Sequence, residues 1–154
     1  MFIRNHNLVP TFDEDFESDF RLELNVLSKE LGERNLKHYS IQDLKNFPQH
    51  HQVISAMACA GNRRKHTRKH FPDVKGINWD VGAVANNQYK GIPIRDLLID
   101  SGIGEAEFGL LKGKHLVATG LDADFQGVPF SISIPIEHAL DPKNEVILAY
   151  EMNG

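Results

Sequence analysis

Hydrophobic and polar positions alternate with a period of two along several short segments of the chain. Residues 20–26 and 130–134 alternate strictly, which is typical of strands with one exposed face. The apolar runs at residues 53–58 and 146–150 predict buried strands, and residues 115–119 predict a further strand. Strands are therefore expected along most of the chain.

Helices are predicted only as short pieces between these strands. Residues 40–43 have the spacing of a capping box, which opens a helix that ends near Pro48. Pro93 fits the first position of a helix that stops at Gly102, and Pro135 begins a single helical turn. Because strands and short helices mix without a regular βαβ period, the predicted fold class is α+β with mixed sheets.

Polar segments are predicted to connect these elements. Residues 1–19 are expected to be irregular, and a polar connector is expected through residues 32–38. Turns are predicted at residues 89–92 and 120–124, and residues 153–154 are a dipeptide typical of hairpin turns.

The composition is that of one ordinary globular domain, with 154 residues of which 41% are hydrophobic and 25% charged. The single cysteine cannot form an internal disulfide, so nothing indicates an oxidising compartment. No apolar run is long enough to span a bilayer, and residues 1–6 lack the apolar segment of a cleavable signal.

Charge is distributed unevenly, although the net charge of −4 is mild. An acidic run occupies residues 13–19, and a basic run at residues 63–70 follows the cysteine directly. A basic run can bind nucleic acid. The overall negative charge and the few aromatic residues in this run favour instead a solvated loop, or one facing a single anionic ligand. We therefore expect no nucleic-acid partner.

The cysteine itself is the most informative candidate for chemistry. Cys59 ends an apolar run and is followed by a glycine turn and three cations, Arg63, Arg64 and Lys65. Nearby positive charge favours a thiolate, which is a nucleophile or a soft metal ligand. A lone cysteine after an apolar strand is more often a small buried hydrophobic residue, so both interpretations stay open at this point.

Histidine pairs are the other candidates for metal ligands. His66 and His70 are four residues apart and would share one helical face, but no glutamate lies between them as in zinc-protease motifs. His50 and His51 are predicted to lie in a loop. The sequence therefore does not predict a histidine metal site.

Six segments of the chain, taken in the order in which they occur from the N-terminus, resemble the molybdenum-cofactor domain of the sulfite oxidase family. Residues 59–64 are similar to the molybdenum-ligand motif of that family. The other matching segments are residues 2–6 with 9–10, residues 74–83, residues 120–124, residues 133–142 and residues 148–154. The resemblance covers nearly the whole chain and implies the molybdopterin-binding form of the α+β fold.

The resemblance also implies a cofactor and its ligands. A single molybdenum would be held by the dithiolene of a pterin, with the sulfur of Cys59 as the protein ligand. Arg4 would bind the oxyanion substrate, because a guanidinium donates two parallel hydrogen bonds to such an anion. Arg4 and Cys59 are thus the implied catalytic residues, and Asp122 would accept hydrogen bonds from the pterin edge. The implied cofactor contacts are Phe2, Ile3, Arg4, Asn5, His6, Cys59 and Asp122.

The implied activity is molybdenum-dependent oxidation of sulfite to sulfate, with two electrons passed to an acceptor such as a cytochrome. An assimilatory nitrate reductase-type domain and a non-catalytic fragment or cofactor-binding module are the alternatives. The resemblance further implies that residues 1–154 are a molybdopterin-binding domain incomplete at its C-terminus, without the family's haem and dimerisation domains. It leads us to expect low activity of these residues alone, a homodimer only for the full-length protein, and the mitochondrial intermembrane space.

Overall fold

The computed structural model describes residues 11–124 and 126–154, so the implied cofactor contacts at residues 2–6 lie outside the described residues. Seven strands are present within these ranges: β1 (Leu22–Ser28), β2 (Gly32–Tyr39), β3 (His51–Ala58), β4 (Val84–Pro93), β5 (His115–Ala123), β6 (Pro129–Pro135) and β7 (Ile147–Met152). The α-helices are α1 (Phe16–Asp19), α2 (Ile41–Lys45), α3 (Arg64–His70), α4 (Ile94–Asp100) and α5 (Ile136–Leu140). Among the described residues, 3₁₀ helices cover Glu105–Leu111 and Pro142–Asn144.

The described strands form three antiparallel groups. A three-stranded sheet has the order β3-β4-β7, and β1-β2 and β5-β6 form two separate hairpins. Short helices lie between the strands, as the sequence predicts. The α+β class is thereby confirmed.

The hydrophobic core formed by the described residues has two clusters that meet at β7. One surrounds α4 and α5 and includes Ile103 and Ile136, and the other contains Tyr39, Ile92 and Leu97. Leu148 of β7 packs against both clusters. The core therefore sits between the helices and the β7 side of the three-stranded sheet.

The predicted helix starts are confirmed. Ser40 caps α2: its hydroxyl accepts from the Asp43 backbone N–H, and the Asp43 carboxylate accepts from the Ser40 N–H. α4 begins directly after Pro93 and α5 directly after Pro135. Proline fixes φ near the helical value, so it starts a helix without losing a needed donor.

The predicted polar connector at residues 32–38 is wrong, because this segment forms β2. It pairs with β1 from Ser28 opposite Gly32 to Leu22 opposite Tyr39, with a shift of register between Glu23 and Asn25. Leu36 and Tyr39 turn inward and pack against the core, while the charged residues between them stay largely in solvent. The half-exposed edge of a hairpin needs only a few apolar positions, so its pattern looks like that of a loop.

The predicted turn at residues 89–92 is also wrong, since it lies inside β4. Gly91 suggested a turn, but its function is close approach between strands. A Cβ on Gly91 would lie 2.1 Å from the carbonyl oxygen of Leu148 in β7. Glycine in a strand interior thus marks here a site where another backbone comes near.

Residues 120–123 continue β5 instead of forming the predicted turn. The pairing with β6 is irregular between Thr119 and Ala123, and the chain reverses around Gly127. The carboxylate of Asp124 accepts from the backbone N–H groups of Gln126 and Val128, which fixes that reversal.

Two further expectations from the sequence need correction. The basic run is a helix, α3, and Phe16–Asp19 forms the short helix α1 within the segment expected to be irregular. β3 was expected to be buried, yet Ile54 and Met57 are largely exposed. β3 is an edge strand of its sheet, so the described residues cover it on few sides.

Candidate functional site

Cys59 lies just beyond the end of β3 and is half-buried. Its backbone N–H donates to the carbonyl oxygen of Ala83, 3.0 Å away, beside the start of β4. Its sulfur accepts a hydrogen bond from the backbone N–H of Gly61, with N and Sγ 3.3 Å apart. The thiol is therefore oriented by its own loop, on a residue that is only partly buried by the described residues.

The loop that carries the thiol is closed by backbone hydrogen bonds. The N–H of Asn62 donates to the Cys59 carbonyl at 2.8 Å, and the N–H of Arg64 donates to the Gly61 carbonyl at 3.0 Å. Arg63 adopts the left-handed conformation at φ 63°, which turns the chain into α3. A non-glycine residue in this region is uncommon and needs support from its surroundings.

That support comes from a second segment, residues 79–83. The N–H of Arg63 donates to the Asp80 carbonyl at 2.8 Å, and the N–H of Lys65 donates to the Trp79 carbonyl at 2.9 Å. The side-chain oxygen of Asn62 accepts from the N–H of Ala83 at 3.2 Å. The thiol loop is thus held by directional bonds to the chain that leads into β4.

Two glycines make room for the guanidinium of Arg64. A Cβ on Gly61 would lie 2.8 Å from that guanidinium, and one on Gly76 would lie 2.1 Å from it. Arg64 also donates to the carbonyl oxygen of Ile77 at 3.1 Å. Arg64 therefore packs between the thiol loop and the segment that follows α3.

The cations after Cys59 are mostly engaged with that same segment. Lys65 and His66 contact the carboxylate of Asp80 at 3.1 and 2.9 Å, and Arg68 donates to the carbonyls of Val74 and Gly76. The hydrogen bonds from His66 and Lys65 lower the pKa of Asp80 to about 2. Within the described residues, the bonds of these cations therefore anchor α3, and none of them reaches the sulfur of Cys59.

Of the predicted site residues, the structure describes Cys59 and Asp122. Asp122 is half-buried in β5, which belongs to a different sheet from β3, the strand that precedes Cys59. A Cβ on Gly120 would lie 2.4 Å from the Asp122 carboxylate. Phe2, Ile3, Arg4, Asn5 and His6 lie outside the described ranges. The implied role of Arg4 in binding the oxyanion substrate therefore stays a prediction.

Sequence reasoning missed the structural role of Asp80 and Ala83. The signal that could have found them is the pair Gly76 and Gly82. These glycines flank a segment that is too short and irregular to form a helix or strand of its own. In residues 11–124 and 126–154, no group of three or more His, Cys, Asp and Glu side chains could hold a metal ion. No helix within these ranges is long and apolar enough to cross a membrane.

The family model for the oxidoreductase molybdopterin binding domain matches residues 6–154. The chain belongs to this family. The resemblance read from the six segments is confirmed, and with it the molybdopterin-binding form of the α+β fold and the molybdenum cofactor of such domains.

Several relatives resemble the chain over almost its whole length. Sulfite oxidase from Gallus gallus is 40% identical over 154 residues, which cover 99% of this chain and 31% of that protein. The mitochondrial sulfite oxidase from Homo sapiens is 36% identical over 153 residues, 99% of this chain and 26% of that protein. The NADH nitrate reductase from Solanum lycopersicum is 31% identical over 157 residues, 99% of this chain and 16% of that protein. The chain therefore spans about a third or less of these relatives.

A solved structure has a similar fold. The sulfane dehydrogenase SoxCD from Paracoccus pantotrophus superposes with a TM-score of 0.60 at 26% identity. The match covers 90% of this chain and 30% of that one.

The described residues fit a metal that arrives with its own organic ligand. A half-buried thiol is oriented by an N–H group, and no cluster of further metal-binding side chains surrounds it within the described ranges. A site built from side chains alone usually needs three or four ligands. A single soft sulfur instead suits a metal that a dithiolene already binds.

Proposed function

We propose that this chain takes part in the oxidation of sulfite to sulfate, by oxygen-atom transfer at a molybdenum centre. The observation that carries the proposal is the position of the Cys59 sulfur, on a half-buried residue at a strand end and oriented by the N–H of Gly61. The identity of 36–40% to sulfite oxidases of several animals supports sulfite as the substrate.

Cys59 is the proposed protein ligand of the metal. Bound molybdopterin would supply a metal that can take up two electrons. The chain contributes the position of the sulfur, through the bonds of Cys59 to Gly61 and Ala83. A rigid ligand reduces the reorganisation that accompanies a change in metal charge.

Arg4 is the proposed substrate-binding residue. Sulfite and sulfate are small oxyanions, and a guanidinium offers them two parallel charge-assisted hydrogen bonds. Phe2, Ile3, Asn5 and His6 are proposed cofactor contacts, together with Asp122, whose carboxylate can accept hydrogen bonds from an amino group.

The test is metal analysis together with a sulfite-dependent reduction assay on the full-length gene product and its Cys59→Ser variant. We expect the variant to lose sulfite oxidation, because a hydroxyl is a poorer donor to a soft metal. Ser55→Ala, an exposed change in the preceding strand, is the matched control and should keep both metal and activity. Unchanged sulfite oxidation by Cys59→Ser would refute the assignment.

Nitrate reduction is the second candidate, and the 31% identity to the nitrate reductase of Solanum lycopersicum favours keeping it. The same purified protein separates the two. A sulfite oxidase passes electrons from sulfite to an acceptor, whereas a nitrate reductase oxidises an added electron donor when nitrate is present. Nitrate-dependent turnover without sulfite-dependent turnover would replace the first proposal by the second.

We further propose a mitochondrial location, in the intermembrane space, and a cytochrome as the electron acceptor. The support is that the relatives from Drosophila melanogaster, Rattus norvegicus and Homo sapiens are mitochondrial sulfite oxidases by name. A homodimer is proposed for the full-length protein. Fractionation of cells tests the location, size measurement of the full-length gene product tests the homodimer, and a sulfite-dependent reduction assay with a cytochrome tests the acceptor.

A further inference from the structure

We propose that Arg68 is a positioning residue for the sulfur of Cys59, on which it acts through residues 74–78 and the guanidinium of Arg64. The proposal rests on the proposed function of Cys59 as the metal ligand. Its test follows the thiol in protein without metal, so that the two proposals can fail separately.

The segment between α3 and β4 has little regular structure to hold it in place. Residues 71–83 contain no helix or strand. Two backbone hydrogen bonds lie wholly inside this segment, from the N–H of Val74 to the Phe71 carbonyl and from the N–H of Trp79 to the Ile77 carbonyl. Such a segment keeps one conformation only when other groups bind its free backbone oxygens.

Arg68 binds this segment at three residues. Its Nε donates to the carbonyl oxygen of Val74 at 2.9 Å, and its Nη2 donates to the carbonyl oxygen of Gly76 at 2.8 Å. Its Nη1 donates to the side-chain oxygen of Asn78. A planar guanidinium fixes its acceptors in defined directions, which the single ammonium of a lysine cannot do.

Arg64 lies one helical turn before Arg68 and meets the same segment. Residues four apart project from the same side of a helix. Nη1 of Arg64 donates to the carbonyl oxygen of Ile77 at 3.1 Å, and Ile77 lies between Gly76 and Asn78, which Arg68 binds. Arg68 therefore sets the position of the acceptor that holds the Arg64 guanidinium.

The Arg64 guanidinium also lies against the thiol loop, at Gly61. A Cβ on Gly61 would lie 2.8 Å from Nη2 of Arg64, and Gly61 is buried. The N–H of this same glycine donates to the sulfur of Cys59 at 3.3 Å. A shift of the guanidinium therefore changes the packing of the residue that orients the sulfur.

The experiment measures the rate at which iodoacetamide alkylates Cys59 and the hydrogen–deuterium exchange of residues 60–64, both by peptide mass spectrometry. It uses the full-length gene product prepared without cofactor, so that the thiol can react. Arg68→Ala removes all the contacts with residues 74–78, and Arg68→Lys keeps only the charge. Lys69→Ala is the matched control, because Lys69 is an exposed cation whose side chain has no hydrogen bond or ion pair with the described residues.

We expect Arg68→Ala to accelerate alkylation and exchange about tenfold, because the loop opens more often once these bonds are lost. Arg68→Lys should behave like Arg68→Ala, since charge alone does not replace the forked donors. Lys69→Ala should react like the wild-type protein. Exchange near Ile92, in the core, should stay unchanged in every variant, which separates a local effect from lower stability of the whole domain.

Two further variants test the route from Arg68 to the sulfur. If Arg68 acts through Arg64, the double variant Arg64→Ala/Arg68→Ala should be alkylated no faster than Arg64→Ala alone, and additive effects would overturn this route. Asn78→Ala removes one acceptor of Arg68 at an exposed position and should cause a smaller acceleration. Asn78→Ala decides the question if Arg68→Ala does not fold.

Four results would overturn the proposal. Unchanged alkylation and exchange in Arg68→Ala, or in Asn78→Ala where it decides, would mean that Arg68 only anchors α3. Wild-type rates in Arg68→Lys would mean that charge alone matters. An equal acceleration in Lys69→Ala would mean a general effect of lost positive charge, and a parallel acceleration near Ile92 would mean global destabilisation. Retention of metal and activity by Cys59→Ser would refute the proposed function without altering any of these rates.

Discussion

The two ends of β4 lie in very different environments. At its C-terminal end Ile92 is 0% exposed and packs in the core with Leu97. At its N-terminal end Val84 is 46% exposed and pairs with Ala58, the residue before the cysteine. One strand thus connects the core of the domain to the thiol loop.

The comparison shows that the two regions are stabilised by different forces. Around Ile92 the folded state is stabilised by burial of apolar side chains, which contributes about 1.5–3 kcal/mol for each. Around Cys59 the stabilisation comes from hydrogen bonds of the loop to residues 79–83, each of which contributes about 0.5–1.5 kcal/mol. Substitutions in the first region should therefore unfold the domain, and those in the second should disturb the loop locally.

The largest effect is expected in the core. Leu97 is 1% exposed, so Leu97→Ala removes buried methyl groups and leaves a cavity. We expect a loss of about 2–5 kcal/mol in the free energy of unfolding, measured by denaturant titration. Leu27→Ala, at a side chain that is 81% exposed, is the control. Equal losses in the two variants would contradict the assigned core.

A smaller loss is expected where β4 meets β7. A Cβ introduced by Gly91→Ala would lie 2.1 Å from the Leu148 carbonyl oxygen, and neither backbone can move without disturbing the sheet. We expect a loss of about 1–3 kcal/mol in unfolding free energy. In Gly104→Ala the new methyl group meets nothing within 4 Å, and its cost should be near zero. A neutral Gly91→Ala would mean that the strands are farther apart.

Alanine substitutions at two glycines near the thiol loop distinguish the effect of backbone strain from the effect of a clash with a neighbouring side chain. Gly76 and Gly82 have φ values of 105° and 98°, so alanine at either costs about 1–2 kcal/mol of stability. Only Gly76→Ala also displaces the guanidinium of Arg64, since nothing lies within 4 Å of a Cβ on Gly82. We expect similar thermal stabilities, with a change in alkylation rate of Cys59 only for Gly76→Ala. Identical alkylation rates would contradict the role of Arg64 in fixing the loop.

The smallest effect is the pH dependence of the ion pairs at α3. His66 and Lys65 lower the pKa of Asp80 to about 2, below the ordinary value near 4. A carboxyl with a lowered pKa stabilises the folded state above its ordinary pKa, and this contribution is lost as the pH falls from about 4 to 2. NMR shifts of the His66 ring should report the loss. Asp80→Asn should abolish this pH-dependent change of the His66 NMR shifts, and Asp73→Asn should leave the change as it is in the wild-type chain.

Much of the fold could be predicted because local signals decide it. The capping residues of α2 and the prolines before α4 and α5 act on the chain next to them, so the sequence alone predicts these starts. β2 and the central part of β4 were missed because their pairing partners decide them. Gly91 has the same identity in a turn and in a strand, and only the approach of Leu148 distinguishes the two.

The position of the thiol loop along the chain could be predicted, but the contacts that hold it could not. The cysteine and the glycine after it follow from residue type and spacing. The contacts of Asp80 and Ala83 with the thiol loop do not, since they join residues about 20 positions apart in the sequence through backbone atoms. Arg63, Arg64 and Lys65 were expected to favour the thiolate of Cys59 through their charge, which stays a prediction. The contact of Lys65 with the carboxylate of Asp80 could not be predicted.

A consequence of the course of β4 is a gradient of amide exchange along one strand. Opening that exposes Val84 to deuterium needs only the release of β3 and the thiol loop, whereas exposing Ile92 requires separation from β7 and α4. Amides near Ile92 should therefore exchange only through global unfolding, and those near Val84 through fraying. A ligand bound to the thiol loop would slow exchange of the amides near Val84 and leave exchange of the amides near Ile92 almost unaltered.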